Sequence, residues 1–189
     1  SAASDVYKRQ ISHFLSFSVC LAAIVFIPRA IQSKPGLEHF SKYFLVVLLV
    51  ENQIRSTYVE TLIKGGNLLE NLPLHLCDFS AIVIAVFLLT GFRPLFIFAY
   101  FWGIAGAGMS ILTPDSEFAF PHYEYFATMY GHSLILLAVV FSIVNLDQRP
   151  YLKDIPKLIF YSSILLVIMY GINYILGANY WYLNERPYG

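Results

Sequence analysis

The chain has 189 residues, 58% of them hydrophobic and 13% charged, against about 25% charged in an ordinary soluble domain. So few polar side chains cannot cover a water-facing surface, and the chain reads as an all-α polytopic membrane helix bundle. Lys plus Arg (12) balance Asp plus Glu (12), so net charge points neither to nucleic acid nor to a polyanionic substrate.

Residues 1–10 lack both an initiator Met and an apolar run, and are read as a leader outside the fold, disordered or non-native. Residues 11–189 are read as a single transmembrane bundle. A bilayer core of ~30 Å takes about twenty apolar residues per helix, and six stretches of that kind follow one another. They run from Ile11 to Ile31, Phe40 to Ile63, Leu72 to Thr90, Leu95 to Thr113, Tyr125 to Leu146 and Leu158 to Leu176. Lys64-Gly65-Gly66 closes the second, and Gly91-Phe92-Arg93-Pro94 divides the third from the fourth. Aromatic residues make up 17% of the chain and many flank these runs, as interfacial belts require. Cys20 and Cys77 fall inside apolar segments and are expected to be free thiols.

Loops rich in Lys and Arg stay in the cytoplasm. One set of loops holds Arg29, Lys34, Lys42, Arg93, Arg149, Lys153 and Lys157; the other holds Lys64 and Arg186, with Lys8 and Arg9 of the leader. The N-terminus is therefore expected outside, and with six helices the C-terminus too. Asp115, Glu117 and Glu124 then share an external loop. In the fourth segment Ala99, Gly103 and Ala107 repeat at helical spacing, with Gly106 and Ser110 offset, which predicts close approach of a neighbouring backbone.

Ionisable side chains within a bilayer cost on the order of 3 kcal/mol or more, so they face the bundle interior and have partners. Glu51, Arg55 and Tyr58 lie on one face of the second segment, and Glu51 with Arg55 reads as an ion pair that either fixes packing or serves a ligand. The third segment opens Leu72-Pro73-Leu74-His75-Leu76-Cys77-Asp78, with Asn71 as a cap and Pro73 in the first helical turn. On that helix His75 and Asp78 share a face, whereas Cys77 lies about 200° round from His75. Cys77 is either a small buried hydrophobe or a nucleophile. In the fifth segment Tyr125, Thr128 and His132 share a face. With His13 and Asn173, these groups map to one half of the bilayer and predict a polar pocket on the external side.

The stretches Leu72-Pro73-Leu74-His75-Leu76-Cys77-Asp78, Tyr130-Gly131-His132, and Asn179-Tyr180 with Leu183 and Pro187 resemble the YwaF-like family of bacterial integral membrane proteins. That family is similar to seven-helix proteins and continues into one more helix, so the resemblance implies a truncated chain in a bacterial cell membrane. Its distant eukaryotic relatives are TMEM-type proteins that move acyl chains onto ether phospholipids, with a Cys and a His important. Carried over, the resemblance implies His75 as a site residue. The relatives' Cys directly precedes the His, where this chain has Leu74, so Cys77 substitutes only if the first turn is irregular.

Two functions follow as expectations. A lipid acyltransferase would use Cys77 as nucleophile, His75 or His132 as base and Arg55 on a lipid phosphate. A transporter or ligand-binding membrane protein would use Glu51, Asp78 and His132 as titratable groups, with Arg55 and Asn173 also lining the substrate site. Membrane lipids and a small-molecule or lipid substrate are the expected partners; no cofactor is expected. No pair of histidines has the i, i+4 spacing of a helical metal site, no Gly-rich phosphate loop occurs, and no Lys falls within the late apolar segments Tyr125 to Leu146 and Leu158 to Leu176.

Overall fold

The computed structural model describes residues 11–114 and 120–185. The leader with Lys8 and Arg9, the loop acids Asp115 and Glu117, and Arg186 and Pro187 lie outside the described residues. Among the described residues six helical rods cross the molecule. The first is α1 (Ile11–Ile31). The second is α2 (Pro35–Tyr58), which continues through a π-helical turn, Val59–Ile63. The third is α3 (Leu76–Thr90). The fourth comprises α4 (Arg93–Trp102), a π-helical turn Gly103–Ala107 and α5 (Gly108–Leu112). The last two are α6 (Tyr123–Asn145) and α7 (Ile155–Leu176). The arrangement is a helical membrane bundle.

Four stretches, Ile11–Ile31, Arg93–Leu112, Tyr123–Asn145 and Leu152–Leu176, are long and apolar enough to cross a membrane. The other two rods depart from that pattern for identifiable reasons. α2 is long enough but carries Glu38, Lys42, Glu51 and Arg55. α3 has 15 residues, or about 22 Å, which is short of the hydrocarbon thickness.

The missing length of the third crossing is supplied by Leu72–His75, which precedes the helix. Asn71 does not cap it and Pro73 is not in its first turn; His75 occupies the N-cap with an extended backbone (φ −63°, ψ 157°). The reason lies more than a hundred residues away. The Leu72 N–H donates to the Tyr180 hydroxyl (3.1 Å), and the Leu74 carbonyl accepts from the Trp181 indole N–H (2.8 Å). Non-helical backbone at membrane depth persists only where protein satisfies it, and two aromatic side chains do so here. The helix proper begins with Phe79 N–H donating to the His75 carbonyl (2.8 Å).

α6 lies at the centre, packed on α1, α2, α3 and the fourth rod. Its Leu134, Ile135, Ala138, Val139 and Phe141 meet Ile84, Phe87 and Leu88 of α3 and Phe96 and Ala99 of α4 in the main core. The small residues of the fourth rod act as expected: a Cβ on Gly103 would lie 3.0 Å from Ile135. By contrast, the windows of α1 and α7 are only 11% buried, so most of their apolar surface faces outward, where lipid takes the place of a protein neighbour.

α7 is fastened chiefly at its ends. At one, the Arg93 guanidinium donates to both Asp154 oxygens (3.0 and 2.7 Å) and to the Arg149 carbonyl (3.0 Å). At the other, Gly177 ends the helix at φ 65°, a conformation glycine adopts without steric penalty. The chain then doubles back, so that the buried Asn173 amide donates to the Tyr180 carbonyl and accepts from its N–H, both at 2.8 Å. An Asn173→Leu substitution strands two buried backbone groups. It is expected to destabilise the fold by about 2–4 kcal/mol, read as a lower thermal midpoint in detergent. An unchanged midpoint would show that this clamp carries no weight.

Candidate functional site

A cavity of about 730 Å³ lies between α2, α3 and α6, within the usual range for small-ligand sites. Its outer ring is Glu60, Lys64 and Glu124, and deeper in its wall are Asn52, Gln53, Cys77, Asp78, Thr128 and His132. His132 lies nine residues along α6 from Tyr123, or ~14 Å, so the cavity extends well into the bundle.

The ring is tied together by Lys64, whose ammonium lies 2.9 Å from Glu60 and 2.6 Å from Glu124. Further in, Arg55 forms the ion pair with Glu51 expected from their spacing (Nε to Oε1, 3.1 Å). Its other nitrogens donate to the Tyr123 hydroxyl (2.6 Å) and to the Asn52 side-chain oxygen. The Tyr130 ring lies 5.6 Å from the guanidinium, a cation–π contact. Arg55 is thus held in one orientation with its charge beside the cavity, while Glu51 stands behind it and does not line the space.

At depth, the Gln53 amide donates to Asp78 (3.1 Å), joining α2 to α3. The His132 ring nitrogen Nδ1 lies 2.7 Å from the Thr128 carbonyl. A carbonyl can only accept, so Nδ1 carries the proton and Nε2 of the neutral ring holds a lone pair. No hydrogen bond occupies Nε2 among the described residues. Asp78 is within electrostatic reach of the His132 ring. Cys77 shares this cavity wall. The π-helical turn at Gly106 backs it, for a Cβ there would lie 3.3 Å from the sulfur.

The single pocket expected from the sequence is divided. Arg55, Cys77, Asp78 and His132 share the cavity just described, whereas His75 and Asn173 line a neighbouring depression of about 640 Å³. The His75 ring packs edge-on to Tyr180 (centroids 5.0 Å apart) and tilted to Tyr182 (5.9 Å). Asn173 has both ends of its amide taken by Tyr180. Tyr182 lines both spaces. His13 stands apart: its Nδ1 is 3.0 Å from the Tyr125 hydroxyl and its Nε2 3.2 Å from the Leu112 carbonyl, in a buried contact between α1 and α6. Tyr125 is therefore turned away from Thr128 and His132. The reading from residues missed Gln53, Asn52 and Lys64. Its available signal was the run Glu51-Asn52-Gln53 inside an otherwise apolar segment. Among the described residues no three His, Cys, Asp or Glu side chains converge as a metal ion would need.

A family model described as the TMEM164 family matches residues 7–189. The chain belongs to the TMEM164 family. An uncharacterized protein of Treponema pallidum (strain Nichols) is 26% identical over 179 residues, a stretch covering 93% of this chain and 74% of that relative. No solved structure matches the chain. Membership in this family agrees with the resemblance seen in the sequence at the level of a TMEM-type membrane family.

Lys64 lies outside the spanning segments and bridges the two carboxylates of the ring. Burial works against the ammonium, but the Glu124 and Glu60 carboxylates outweigh it and hold its pKa above the ordinary 10.5. A raised folded value means that the bridge stabilises fully below that pH and is lost as pH rises through the folded value. Replacing Lys64 by Met should therefore lower the thermal midpoint by the same amount at pH 7 and pH 9. The gap between variant and wild type should narrow above pH ~10.5; a gap that persists there would show that the side chain acts through packing alone.

Proposed function

We propose that the chain is a membrane-bound phospholipid acyltransferase in which Cys77 carries the acyl group and His132 is the base. The observation that carries this reading is the His132 ring, proton-bearing on Nδ1 at the Thr128 carbonyl, with its Nε2 lone pair uncommitted in the cavity that also holds Cys77 and Asp78. A positioned base and a thiol in one site are the minimum that nucleophilic acyl transfer requires. The YwaF-like resemblance and its acyl-transferring relatives support the same chemistry.

In the proposed cycle His132 Nε2 takes the Cys77 thiol proton, and the sulfur attacks the ester carbonyl of a donor phospholipid. The tetrahedral intermediate collapses with cleavage of the ester C–O bond. The departing lysolipid oxygen takes the proton from His132, and a thioester remains on Cys77. An acceptor lysolipid hydroxyl then gives its proton to Nε2 and attacks the thioester carbonyl, and the C–S bond breaks. The thiolate recovers the proton. Arg55, fixed by Glu51, Asn52 and Tyr123, is suited to a phosphate oxygen. Asp78 supports the imidazolium formed at each stage.

The test is transfer of an isotope-labelled acyl chain from a diacyl phospholipid to an ether lysophospholipid in proteoliposomes, read by mass spectrometry. Cys77→Ala should abolish transfer and the hydroxylamine-sensitive acyl adduct on the protein. His132→Gln should slow transfer by about 10²–10⁴-fold, whereas His75→Ala should retain most of the rate. Transfer that survives Cys77→Ala removes the thiol from the mechanism.

A second reading, a transporter or ligand-binding protein with Glu51, Asp78 and His132 titrating, draws on the two π-helical turns beside the cavity, since such turns are frequent at functional sites. Under it, wild type transfers no acyl group and Asp78→Asn alters ligand uptake.

A further inference from the structure

At the opposite end of the bundle from Lys64, a second space of about 680 Å³ opens between the starts of α4 and α7. Its walls are apolar, with Phe92, Leu95 and Phe98 on one side and Phe160 and Tyr161 on the other. Phe98 and Tyr161 approach each other, with ring centroids 6.3 Å apart. At its rim stand Arg93, Asp154 and Lys157.

The charges at the rim are not equivalent. Arg93 is committed to Asp154 in a two-pronged pair, so those two cancel. Lys157 is exposed and makes no ion pair or hydrogen bond among the described residues. It is the net charge of the groove. The surrounding end of the bundle reinforces it: Arg29, Lys34, Lys42, Arg93, Arg149, Lys153 and Lys157 face only Glu38, Asp147 and Asp154. A cationic rim over apolar walls matches a molecule with an anionic head and a hydrocarbon tail. A further helix seated here would have to bury the Lys157 charge, which is costly within a bilayer.

We propose that this groove holds one anionic phospholipid from the adjoining leaflet, its phosphate at Lys157 and an acyl chain between Phe98 and Phe160. The site is separate from the cavity of Cys77 and His132, and the proposal stands whatever reaction occurs there. The lipid fills the gap that α7 leaves beside α4, because α7 is fastened at its ends and packs little along its middle. The hydrophobic contact and the Lys157 charge act together, so a headgroup alone binds weakly.

The test uses the full chain in micelles with equimolar phosphatidylglycerol and phosphatidylcholine, followed by native mass spectrometry. A diazirine-bearing phosphatidylglycerol is then cross-linked in proteoliposomes and the adduct mapped. Phosphatidylglycerol should be retained preferentially, with adducts on residues 92–98 and 156–161. Lys157→Gln should cut the preference by about fivefold, the factor one basic side chain supplies near an anionic headgroup. Lys34→Gln, at the same end but away from the groove, should leave it unchanged, and both variants should keep the wild-type thermal midpoint. Equal retention of the two lipids, an adduct elsewhere or equal effects of the two substitutions would overturn the proposal. So would displacement of the lipid by millimolar inorganic phosphate, or a protein dimer occupying the groove in its place.

Discussion

Hydrocarbon offers no hydrogen bonds, so every polar group on a spanning helix must be met by the protein or by water it admits. α2 concentrates that demand, with Glu51, Asn52, Gln53 and Arg55 inside one rod. Each answer to it fixes another element. Gln53 draws Asp78, and with it the start of α3; Arg55 draws Tyr123 at the start of α6. Gly131 is bare because Asn52 lies where its side chain would be, a Cβ there falling 2.9 Å from the amide nitrogen. The polar cavity is what remains between three helices that are held together by polar contacts and so cannot close into an apolar seam.

The rods themselves were largely legible in the sequence, because length and hydropathy are local properties. The ends of the first, third and sixth segments, at Ile31, Thr90 and Leu176, agree with the structure to the residue. The start of α3 was not legible. Pro73 invites a first helical turn, and nothing near it reveals that Tyr180 and Trp181 will hold Leu72 and Leu74 extended. The grouping of polar residues was half legible for a related reason. Spacing gives the depth of a residue but not the side on which its helix meets a neighbour. Spacing alone puts His13 and Asn173 with the cavity residues, yet their hydrogen bonds lead to Leu112 and Tyr180. The bond on which the proposed chemistry rests, His132 to Thr128, spans one helical turn, and its spacing was visible. That its consequence is a lone pair aimed away from the helix backbone follows only once the ring is placed.

The two ends of the bundle are built for different work. At the Lys64 end acidic and basic groups interlock around the mouth of the cavity, and Cys77, Asp78 and His132 lie beneath it. At the Arg93 end cations prevail, and the space between α4 and α7 is lined by rings. The two spaces therefore differ in lining and in charge: one is polar with both signs at its mouth, the other apolar with a cationic rim.

The doubling-back of the chain after α7 makes that helix a lever. Its near end is pinned to Arg93 through Asp154, and its far end, through Asn173, Tyr180 and Trp181, is joined to the strand-like lead-in that stops two residues before Cys77. Little contact along its length resists a tilt. The position of α7 is thereby written, through hydrogen bonds to Leu72 and Leu74, into the backbone that leads to the cap of α3.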